Sequence, residues 1–325
     1  MTRRSLLLQA LLGSAGLLLP RAACAQQDTT LEVGMVGAIS MTHWPVLVGL
    51  NNGYYAKQHI KLDLINIASS QGVMQQLAAG SLQLTISAGL TDPIYAIDKG
   101  APIRIIRVEV QSPPYEINAK QAYTKLEDLK GKTVMIDSPK GITRIYLERM
   151  LAAHHIDPKD LDYVYAGATG ARYNSLRAGA IDATILLPPF CFEAEDAGFN
   201  NLGLIADYAG DLPFTGAAVN TDWASKNQDV LKAFLIAHNE SVQWLLDPNN
   251  RQSAIDIMAT ASKMKPDVIS RTYDFLMKKH FFEPTGDISK KKLGALIAAL
   301  SELGDLTGPT DVEHFVMPGV AHLTD

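Results

Sequence analysis

Residues 68–87 read ASSQGVMQQLAAGSLQLTIS, and residues 167–186 read GATGARYNSLRAGAIDATIL. When the two phrases are aligned on their Leu-x-Ala-Gly core, Gly80 matches Gly179 at an offset of 99 residues. Each phrase predicts a short helix that ends at its glycine and a buried strand that follows a few residues later. The repetition indicates that the chain contains two units built on one plan.

The elements around the two phrases follow the same order. Each copy alternates strands with amphipathic helices, which predicts two α/β lobes, each a mostly parallel sheet flanked by helices. A single continuous sheet is the alternative that these patterns leave open. The predicted strands are 31–37, 61–68, 82–87 and 102–110, then 132–137, 161–166, 180–187 and 202–207, and the predicted helices are 44–59, 71–79, 92–99, 142–154, 171–178 and 190–197.

The last third of the chain has no counterpart in the repeat. A strand at 214–221 is followed by four predicted helices at 229–246, 251–261, 265–277 and 289–303. We expect this helical C-terminal segment to pack on one lobe as a support.

Residues 1–25 have the three parts of a secretory signal peptide. A basic start with two adjacent arginines precedes the apolar run 6–19, and the small residues 23–25 end it. The arginine pair resembles a twin-arginine signal, although ordinary export signals contain such pairs by chance. We expect cleavage near Ala25. Lipid anchoring through Cys24 and a buried N-terminal helix are the alternatives, and Arg21 stands where a lipid-attachment site has a bulky aliphatic residue.

Charge and cysteine content exclude several classes of partner and site. Removal of the three arginines in residues 1–25 changes the formal net charge from −5 to −8. This charge disfavours nucleic acid and anionic membranes as partners, since both require a basic surface. Cys191 is then the only cysteine, so we expect no intramolecular disulfide and no thiolate metal cluster.

Candidate ligand-binding loops follow the predicted strands, because ligands of open α/β sheets bind beyond the carboxyl ends of the strands. These loops are rich in Ser, Thr and Gly, and backbone N–H groups at helix N-termini bind anionic oxygens without a formal cation. Capping of their own helices is the alternative role of each hydroxyl. The loops are 39–44, 69–71 and 87–89 in the first copy and 138–143, 167–172 and 187–190 in the second.

Aromatic residues and one arginine could complete such a pocket. Trp44, Tyr115, Phe190 and Phe214 lie in or beside the loops and could enclose a planar or apolar ligand, with core packing as the alternative. Arg172 begins a predicted helix and could bind a carboxylate or sulfonate through two hydrogen bonds, with a solvated surface position as the alternative.

Motifs of catalysis and cofactor binding are missing from the sequence. The eight histidines show no H-E-x-x-H spacing, and no G-x-S-x-G, Walker or G-x-G-x-x-G motif joins a strand to a helix. We therefore expect a binding protein without a metal or cofactor rather than an enzyme.

Several scaffold motifs together resemble one known family. The chain resembles the periplasmic ABC-transporter substrate-binding proteins of the aliphatic-sulfonate/nitrate/thiamine-precursor family. The resemblance is carried by the export signal, by the segment PVLVGLNNGYYAKQHIKLDL at 45–64 and by the phrases LAAGSLQLTIS, KLEDLKGKTVMIDSPKG and LRAGAIDATILLPPF. His59 occupies a position where glycine is common in that family. The resemblance covers essentially the whole chain after the signal peptide.

The resemblance implies a type II periplasmic-binding-protein fold whose lobes close on a ligand. Residues 30–117 and 213–325 would form lobe 1, and 118–212 would form lobe 2. It implies binding residues in the loops named above, namely Ser40, Thr42, Trp44, Ser70, Gln71, Ser87, Ser138, Gly141, Thr143 and Pro188. We add His43, Tyr115, Arg172 and Phe190 to these candidates.

The implied function is capture of a small organic molecule in the periplasm. A sulfonate, a carboxylate or a pyrimidine or other aromatic compound would be delivered to an ABC permease with its ATPase, by a protein that we expect to be a monomer. Few cations lie near the expected cleft, which argues against a strongly anionic ligand. Two alternatives share the fold: an enzyme of pyrimidine-precursor or menaquinone-pathway type, and a ligand-sensing subunit of a signalling system. A pyrimidine-precursor synthase would require a cysteine-rich metal motif, which a chain with only Cys191 after processing cannot supply, and an export signal argues against a cytoplasmic biosynthetic enzyme.

Overall fold

The structure of the protein, a computed structural model, describes residues 28–325. The predicted signal peptide lies outside the described residues. The chain forms two five-stranded sheets, each flanked by helices, together with a two-stranded ladder. The predicted two-lobed α/β fold is therefore confirmed, and the alternative of one continuous sheet is wrong.

The first repeat unit supplies most of the first sheet. The predicted helix 44–59 is wrong as a single element, because Asn52 and Gly53 interrupt it and Gly53 has a φ of 71° that favours glycine. The elements are β1 (Thr29–Val36), α1 (Trp44–Asn51), α2 (Tyr54–Lys57), β2 (Ile60–Ile67), α3 (Ser70–Ala78), β3 (Leu84–Gly89), α4 (Thr91–Asp98) and β4 (Ile103–Val110).

The second repeat unit forms the second sheet. The strand predicted at 202–207 begins earlier, at Asn200, and ends at Leu204, because a short helix starts at Ala206. The elements are β5 (Glu116–Ala119), β6 (Thr133–Ile136), α5 (Ile142–Ala153), β7 (Asp162–Tyr165), α6 (Thr169–Arg177), β8 (Ala183–Leu186), α7 (Phe190–Asp196), β9 (Asn200–Leu204) and α8 (Ala206–Ala209).

The C-terminal segment is largely helical, as predicted. Helices α10 (Gln228–Leu246) and α11 (Arg251–Ser262) pack on α1, and α13 (Lys290–Glu302) packs on α4, but α12 (Pro266–Lys278) contacts both α11 and α7 of the second unit. The segment therefore supports both lobes rather than one. Its elements are β10 (Thr215–Asn220), α9 (Thr221–Lys226), α10 (Gln228–Leu246), α11 (Arg251–Ser262), α12 (Pro266–Lys278), β11 (Ile288–Ser289), α13 (Lys290–Glu302), α14 (Val312–Phe315) and β12 (Leu323–Thr324).

The two sheets have matching topologies. The strand order is β2-β1-β3-β10-β4 in the first sheet and β7-β6-β8-β5-β9 in the second. In each sheet the fourth strand, β10 or β5, is antiparallel to its neighbours. Because β5 follows β4 and β10 follows β9, the chain passes between the lobes twice, at residues 111–115 and 205–214.

The repeated phrases end their helices in the same way. Gly80 follows α3 with a φ of 77°, and Gly179 follows α6 with a φ of 76°, a left-handed conformation that glycine adopts without steric cost. The match extends to His59 and His155, whose φ angles are 56° and 55°. The two units therefore agree in backbone conformation as well as in element order.

Candidate functional site

A cavity of about 40 Å³ lies between the two lobes. The end of β3 and the segments that follow β1 and β2 meet the segments that follow β6, β7 and β8 there, so the carboxyl ends of both sheets contribute. The lining residues are Val36, Ser40, Thr42, Ser70, Ser87, Gly89, Tyr115, Asp137, Ile142, Gly167, Ala168, Thr169, Arg172, Leu187 and Phe214. Six of the fourteen predicted site residues are among them: Ser40, Thr42, Ser70, Ser87, Tyr115 and Arg172.

Direct hydrogen bonds join the lobes around this cavity. The Gln71 Nε2 donates to Ser138 Oγ over 3.0 Å, and the backbone N–H of Met41 donates to the carbonyl of Pro188 over 3.2 Å. The predicted residues Gln71, Ser138 and Pro188 therefore hold the lobes together and do not line the cavity. The structure represents a closed arrangement.

Ser87 presents a hydrogen-bond donor because of the histidine behind it. His43 is fully buried, which lowers its pKa to about 4 and keeps the ring neutral. Its Nδ1 accepts from the Ser40 backbone N–H, so Nε2 carries the proton and donates to Ser87 Oγ over 3.2 Å. The Val36 N–H donates to the same oxygen. Ser87 thus accepts two hydrogen bonds and keeps its own O–H for another acceptor.

Ser40 and Thr42 add two more hydroxyl groups to the first-lobe side of the cavity, beside that of Ser87. Their hydroxyl oxygens are 3.1 Å apart, and both residues are buried. The capping alternative holds for Ser69, whose Oγ accepts from the Gly72 N–H at the start of α3. The next residue, Ser70, lines the cavity instead.

Arg172 is a buried residue of the cavity wall, so the surface alternative is wrong. Only 1% of it is exposed. Its Nε donates to the Ile185 carbonyl, and its Nη1 donates to the carbonyls of Ala166 and Gly167. These bonds leave Nη2 for the nearby Tyr115 hydroxyl or for a ligand. Burial raises the pKa of Tyr115 well above its usual range, so this phenol is neutral.

Asp137 is a cavity residue that sequence reasoning missed. Its Oδ1 accepts from the Ser138 N–H over 2.7 Å and from the Thr143 hydroxyl over 2.5 Å. Gly141 packs against the carboxylate, since a Cβ there would collide with it. Burial raises the pKa of Asp137, and the Arg172 charge opposes that effect. The predicted residues Gly141 and Thr143 therefore position this carboxylate.

Asp92, a second buried carboxyl group of the first lobe, lies next to the lining residue Gly89 but is not itself among the lining residues. It is 6% exposed, and a Cβ built on the lining residue Gly89 would be 4.0 Å from its Oδ2. Burial raises the pKa of Asp92 to about 8, the Asp137 charge adds to the rise, and a hydrogen bond from Ser70 opposes it. The carboxyl group is therefore mostly protonated at neutral pH without a ligand.

Two predicted aromatic residues do not line the cavity. Trp44 is fully buried in the core, where its Nε1 donates to the Ala254 carbonyl over 2.9 Å and its ring meets Tyr273 edge-on. Phe190 packs against Tyr173, with ring centroids 5.9 Å apart, beneath α6. Core packing, the alternative role, describes these two rings, whereas Tyr115 and Phe214 do line the cavity, with ring centroids 4.9 Å apart.

A metal-binding cluster and a membrane-spanning helix were also sought among the described residues. Within residues 28–325, no three His, Cys, Asp or Glu side chains are grouped so that they could hold a metal ion. None of the helices in this range has the length and apolar character needed to cross a membrane.

A family profile described as NMT1/THI5 like matches residues 40–251. The chain belongs to this family. The profile starts at the first cavity-lining loop and ends at the start of α11, so it includes every predicted site residue. The family resemblance seen in the sequence is thereby confirmed.

Individual relatives agree with the family assignment. The Bacillus subtilis protein YtlA is 22% identical to this NMT1/THI5-like chain over 304 residues, which are 91% of each chain. The formylaminopyrimidine-binding protein of Halalkalibacterium halodurans is 25% identical over 240 residues, covering 71% of this chain and 70% of that protein. Both matches extend over more than two thirds of the chain.

A solved structure shows the same fold. The alkanesulfonate-binding protein SsuA from Xanthomonas axonopodis pv. citri, bound to MOPS, superposes with a TM-score of 0.73 at 18% identity. The match covers 92% of this chain and 100% of the SsuA chain. The predicted periplasmic-binding-protein fold is therefore confirmed over both lobes.

Proposed function

We propose that this NMT1/THI5-like protein captures a small organic molecule in the cavity between its lobes and delivers it to an ABC permease with its ATPase. Two proteins similar to it are named for binding formylaminopyrimidine and alkanesulfonate, which supports solute binding rather than catalysis. The main observation in support of this function is the cavity, which is lined by polar groups from both lobes, such as Ser87 from one and Arg172 from the other.

The closed arrangement supports a capture mechanism. A ligand held by groups of both lobes stabilises the closed form over the open form, because it makes contacts that the open form lacks. The two passages of the chain at 111–115 and 205–214 would act as the hinge. We propose residues 30–117 with 213–325 as lobe 1 and 118–212 as lobe 2, in a monomer located in the periplasm after cleavage near Ala25.

A ligand screen tests this function. We expect a compound from panels of amines, sulfonates, carboxylates and pyrimidines to raise the melting temperature and shrink the radius of gyration. Ser87→Leu should abolish the response by filling the cavity, whereas Ser81→Leu, at an exposed position, should keep it. Mass spectrometry of denatured protein would reveal a co-purified ligand. If no panel and no extracted metabolite gives a response that Ser87→Leu removes, the protein is not a solute-binding protein of this kind.

A further inference from the structure

We propose, resting on the solute-binding function, that His43 is a positioning residue that fixes the Ser87 hydroxyl as a hydrogen-bond donor, so that the bound solute meets Ser87 with an acceptor atom. A carbonyl, carboxylate or sulfonate oxygen or an unprotonated ring nitrogen fits this requirement, whereas a group that carries only N–H donors does not. The requirement concerns the hydrogen-bonding character of the solute at this one point and is independent of the net charge of the solute.

The hydrogen bond at Nδ1 holds the His43 ring in one tautomer. Its Nδ1 lies 3.1 Å from the Ser40 backbone nitrogen and accepts the hydrogen bond of that N–H. A backbone N–H can only donate, so Nδ1 carries no proton. An imidazolium has a proton on both ring nitrogens and would place two donors against each other here. The one ring proton is therefore on Nε2, and the contact geometry alone decides this.

The oxygen of Ser87 has both of its lone pairs occupied. The His43 Nε2–H donates to Oγ over 3.2 Å, and the Val36 backbone N–H donates to the same atom over 3.1 Å. A serine hydroxyl accepts two hydrogen bonds and donates one. No acceptor within residues 28–325 is bonded to the Ser87 O–H, and the residue lines the cavity. The hydroxyl proton is therefore available to a solute.

This donor is set before the lobes close. Val36, Ser40, His43 and Ser87 lie on β1, on the segment that follows it and on β3, so all four belong to the first repeat unit. His43 is fully buried and Ser87 is 5% exposed, so bulk water competes little for their bonds. A solute with an N–H at this point would leave two donors facing each other without partners, which costs the desolvation of both.

Neighbouring groups add donors without fixing the charge of the solute. The hydroxyl oxygens of Ser40 and Thr42 are 3.1 Å apart, so one hydroxyl donates to the other and one proton stays free. Arg172 contributes a guanidinium, which can only donate, from the other lobe. The Asp137 carboxyl group also lines the cavity and can meet a donor elsewhere on the solute. A neutral amide therefore satisfies the Ser87 requirement as well as a carboxylate does.

Two series of isosteric probes separate acceptor character from charge. Acetate, acetamide and acetamidinium share one heavy-atom shape, and nitrate, urea and guanidinium share another. In each series the last member has only N–H donors. We expect NMR titration of the whole protein to show saturable binding of at least one of the four acceptor-bearing probes and of neither donor-only probe.

Replacement of the hydroxyl measures its part in this selection. Ser87→Ala should weaken binding of the acceptor-bearing probe about threefold to tenfold, because one hydrogen bond to the solute is lost. Ser241→Ala is the matched control, since it removes a buried hydroxyl that already donates to the Ala237 carbonyl and is not among the lining residues. It should leave probe binding unchanged.

Two measurements test the positioning role of His43 apart from its packing. Nitrogen NMR of histidine-labelled protein should show the Nε2–H tautomer of His43 without any ligand. His43→Gln places near Nε2 an amide whose oxygen can accept the Ser87 proton, so probe binding should weaken about as much as in Ser87→Ala. Because both changes remove the same donor, the double variant should bind the probe no more weakly than either single variant.

The outcomes separate this inference from the general function. Acceptor-selective binding that falls in Ser87→Ala, with the Nε2–H tautomer and non-additive variants, supports the proposal. If His43→Gln does not fold, the tautomer and Ser87→Ala decide. An Nδ1–H ring or imidazolium, unchanged binding in Ser87→Ala, or binding of a donor-only probe that Ser87→Leu removes overturns the inference but leaves solute binding intact. No response to any probe overturns it as well, and the wider screen with Ser87→Leu then decides whether the protein binds any solute.

Discussion

At the residue scale, Gly141 lets Asp137 reach its position at the cavity. A Cβ on Gly141 would collide with the Asp137 carboxylate at Cγ and at both oxygens. The φ of Gly141 is −78°, which any residue adopts, so the collision alone decides the effect of a substitution. We expect Gly141→Ala to lower the free energy of unfolding by about 1–3 kcal/mol, as overpacking does, and to weaken ligand binding by displacing Asp137.

Urea unfolding of Gly141→Ala, with Gly294→Ala as the control variant, measures this change in the free energy of unfolding. Gly294 lies in α13, and a Cβ there would meet only Val312 Cγ2, at 3.6 Å. Alanine at this position should raise the free energy of unfolding by about 0.5–1 kcal/mol through helix propensity. If both substitutions shifted stability in the same direction, the contact between Gly141 and Asp137 would not constrain the site.

The hydroxyl residues of the cavity could be predicted from their position in sequence. Ser40 and Ser70 follow the strands β1 and β2, Ser87 lies near the end of β3, and the carboxyl ends of parallel strands lie at one edge of their sheet. Trp44 could not be assigned in this way, because its hydrogen-bond partner Ala254 lies 210 residues further along the chain. Local patterns do not show which face of α1 the C-terminal helices cover.

The two acids were missed for a different reason. Asp92 stands near a helix start, where acids are common, and Asp137 is a single carboxylate at a strand end. Neither has a spacing signature. Their proximity exists only when the two lobes meet, and no sequence pattern states which loops face each other across a cleft.

At the element scale, the repeat predicted most of the fold. The offset between the two copies placed strands and helices in the right order, and even the histidines that precede β2 and the second unit's β7 share a left-handed backbone. The break between α1 and α2 was missed because the apolar spacing continues through Gly53 into Tyr54 and Tyr55. Helical periodicity reports burial of a face, and a short interruption leaves that burial unchanged.

Helix α12 is the element that connects the C-terminal segment to the second lobe. Arg271 on α12 donates to the Phe192 carbonyl over 2.7 Å and pairs with Asp196 over 3.1 Å. Its guanidinium lies 4.4 Å from the Phe192 ring centroid, and Phe275 meets the same ring edge-on. The contact between α12 and α7 therefore combines an ion pair, a cation–π contact and apolar packing.

Arg271→Ala should loosen this contact. Half-exposed ion pairs contribute about 0.2–1 kcal/mol each, so we expect a small loss of stability and faster hydrogen exchange of the α7 backbone. Arg251→Ala is the matched control, since Arg251 pairs with Asp274 on α12 at similar exposure without reaching the second lobe. Exchange in α7 that rises equally in both variants would contradict a specific role for Arg271.

At the scale of the whole molecule, closure joins parts that are far apart in sequence. Lys140 of the second lobe pairs with Asp305 of the C-terminal segment over 2.5 Å, and Tyr95 donates to the same carboxylate. Tyr95 and Asp305 both belong to the proposed lobe 1, so of these two contacts only the Lys140–Asp305 pair joins the lobes. It would separate when the lobes open, together with the Gln71–Ser138 and Met41–Pro188 hydrogen bonds. Opening therefore costs several polar contacts, each of which water replaces at little net loss.

A disulfide across the cleft would test whether the lobes separate in solution. A Cβ built on Gly167 would lie 2.9 Å from the Ser69 Cβ, and disulfides have Cβ atoms about 3.5–4.5 Å apart. A small opening of the closed arrangement thus permits the bond between Ser69→Cys and Gly167→Cys. Ser69→Cys also removes the α3 cap, which costs about 1 kcal/mol.

We expect the oxidised double variant to have a smaller radius of gyration than the ligand-free wild type, and reductant should restore the wild-type value. The two single variants control for a bond to Cys191, the one native cysteine expected after cleavage near Ala25. The disulfide holds the lobes together at only two loop positions and leaves the rest of the protein unchanged. If the oxidised double variant and the ligand-free wild type had equal radii of gyration, the ligand-free protein would therefore already be closed. The cavity would then fill without separation of the lobes, and the two hinge passages would have no mechanical role in capture.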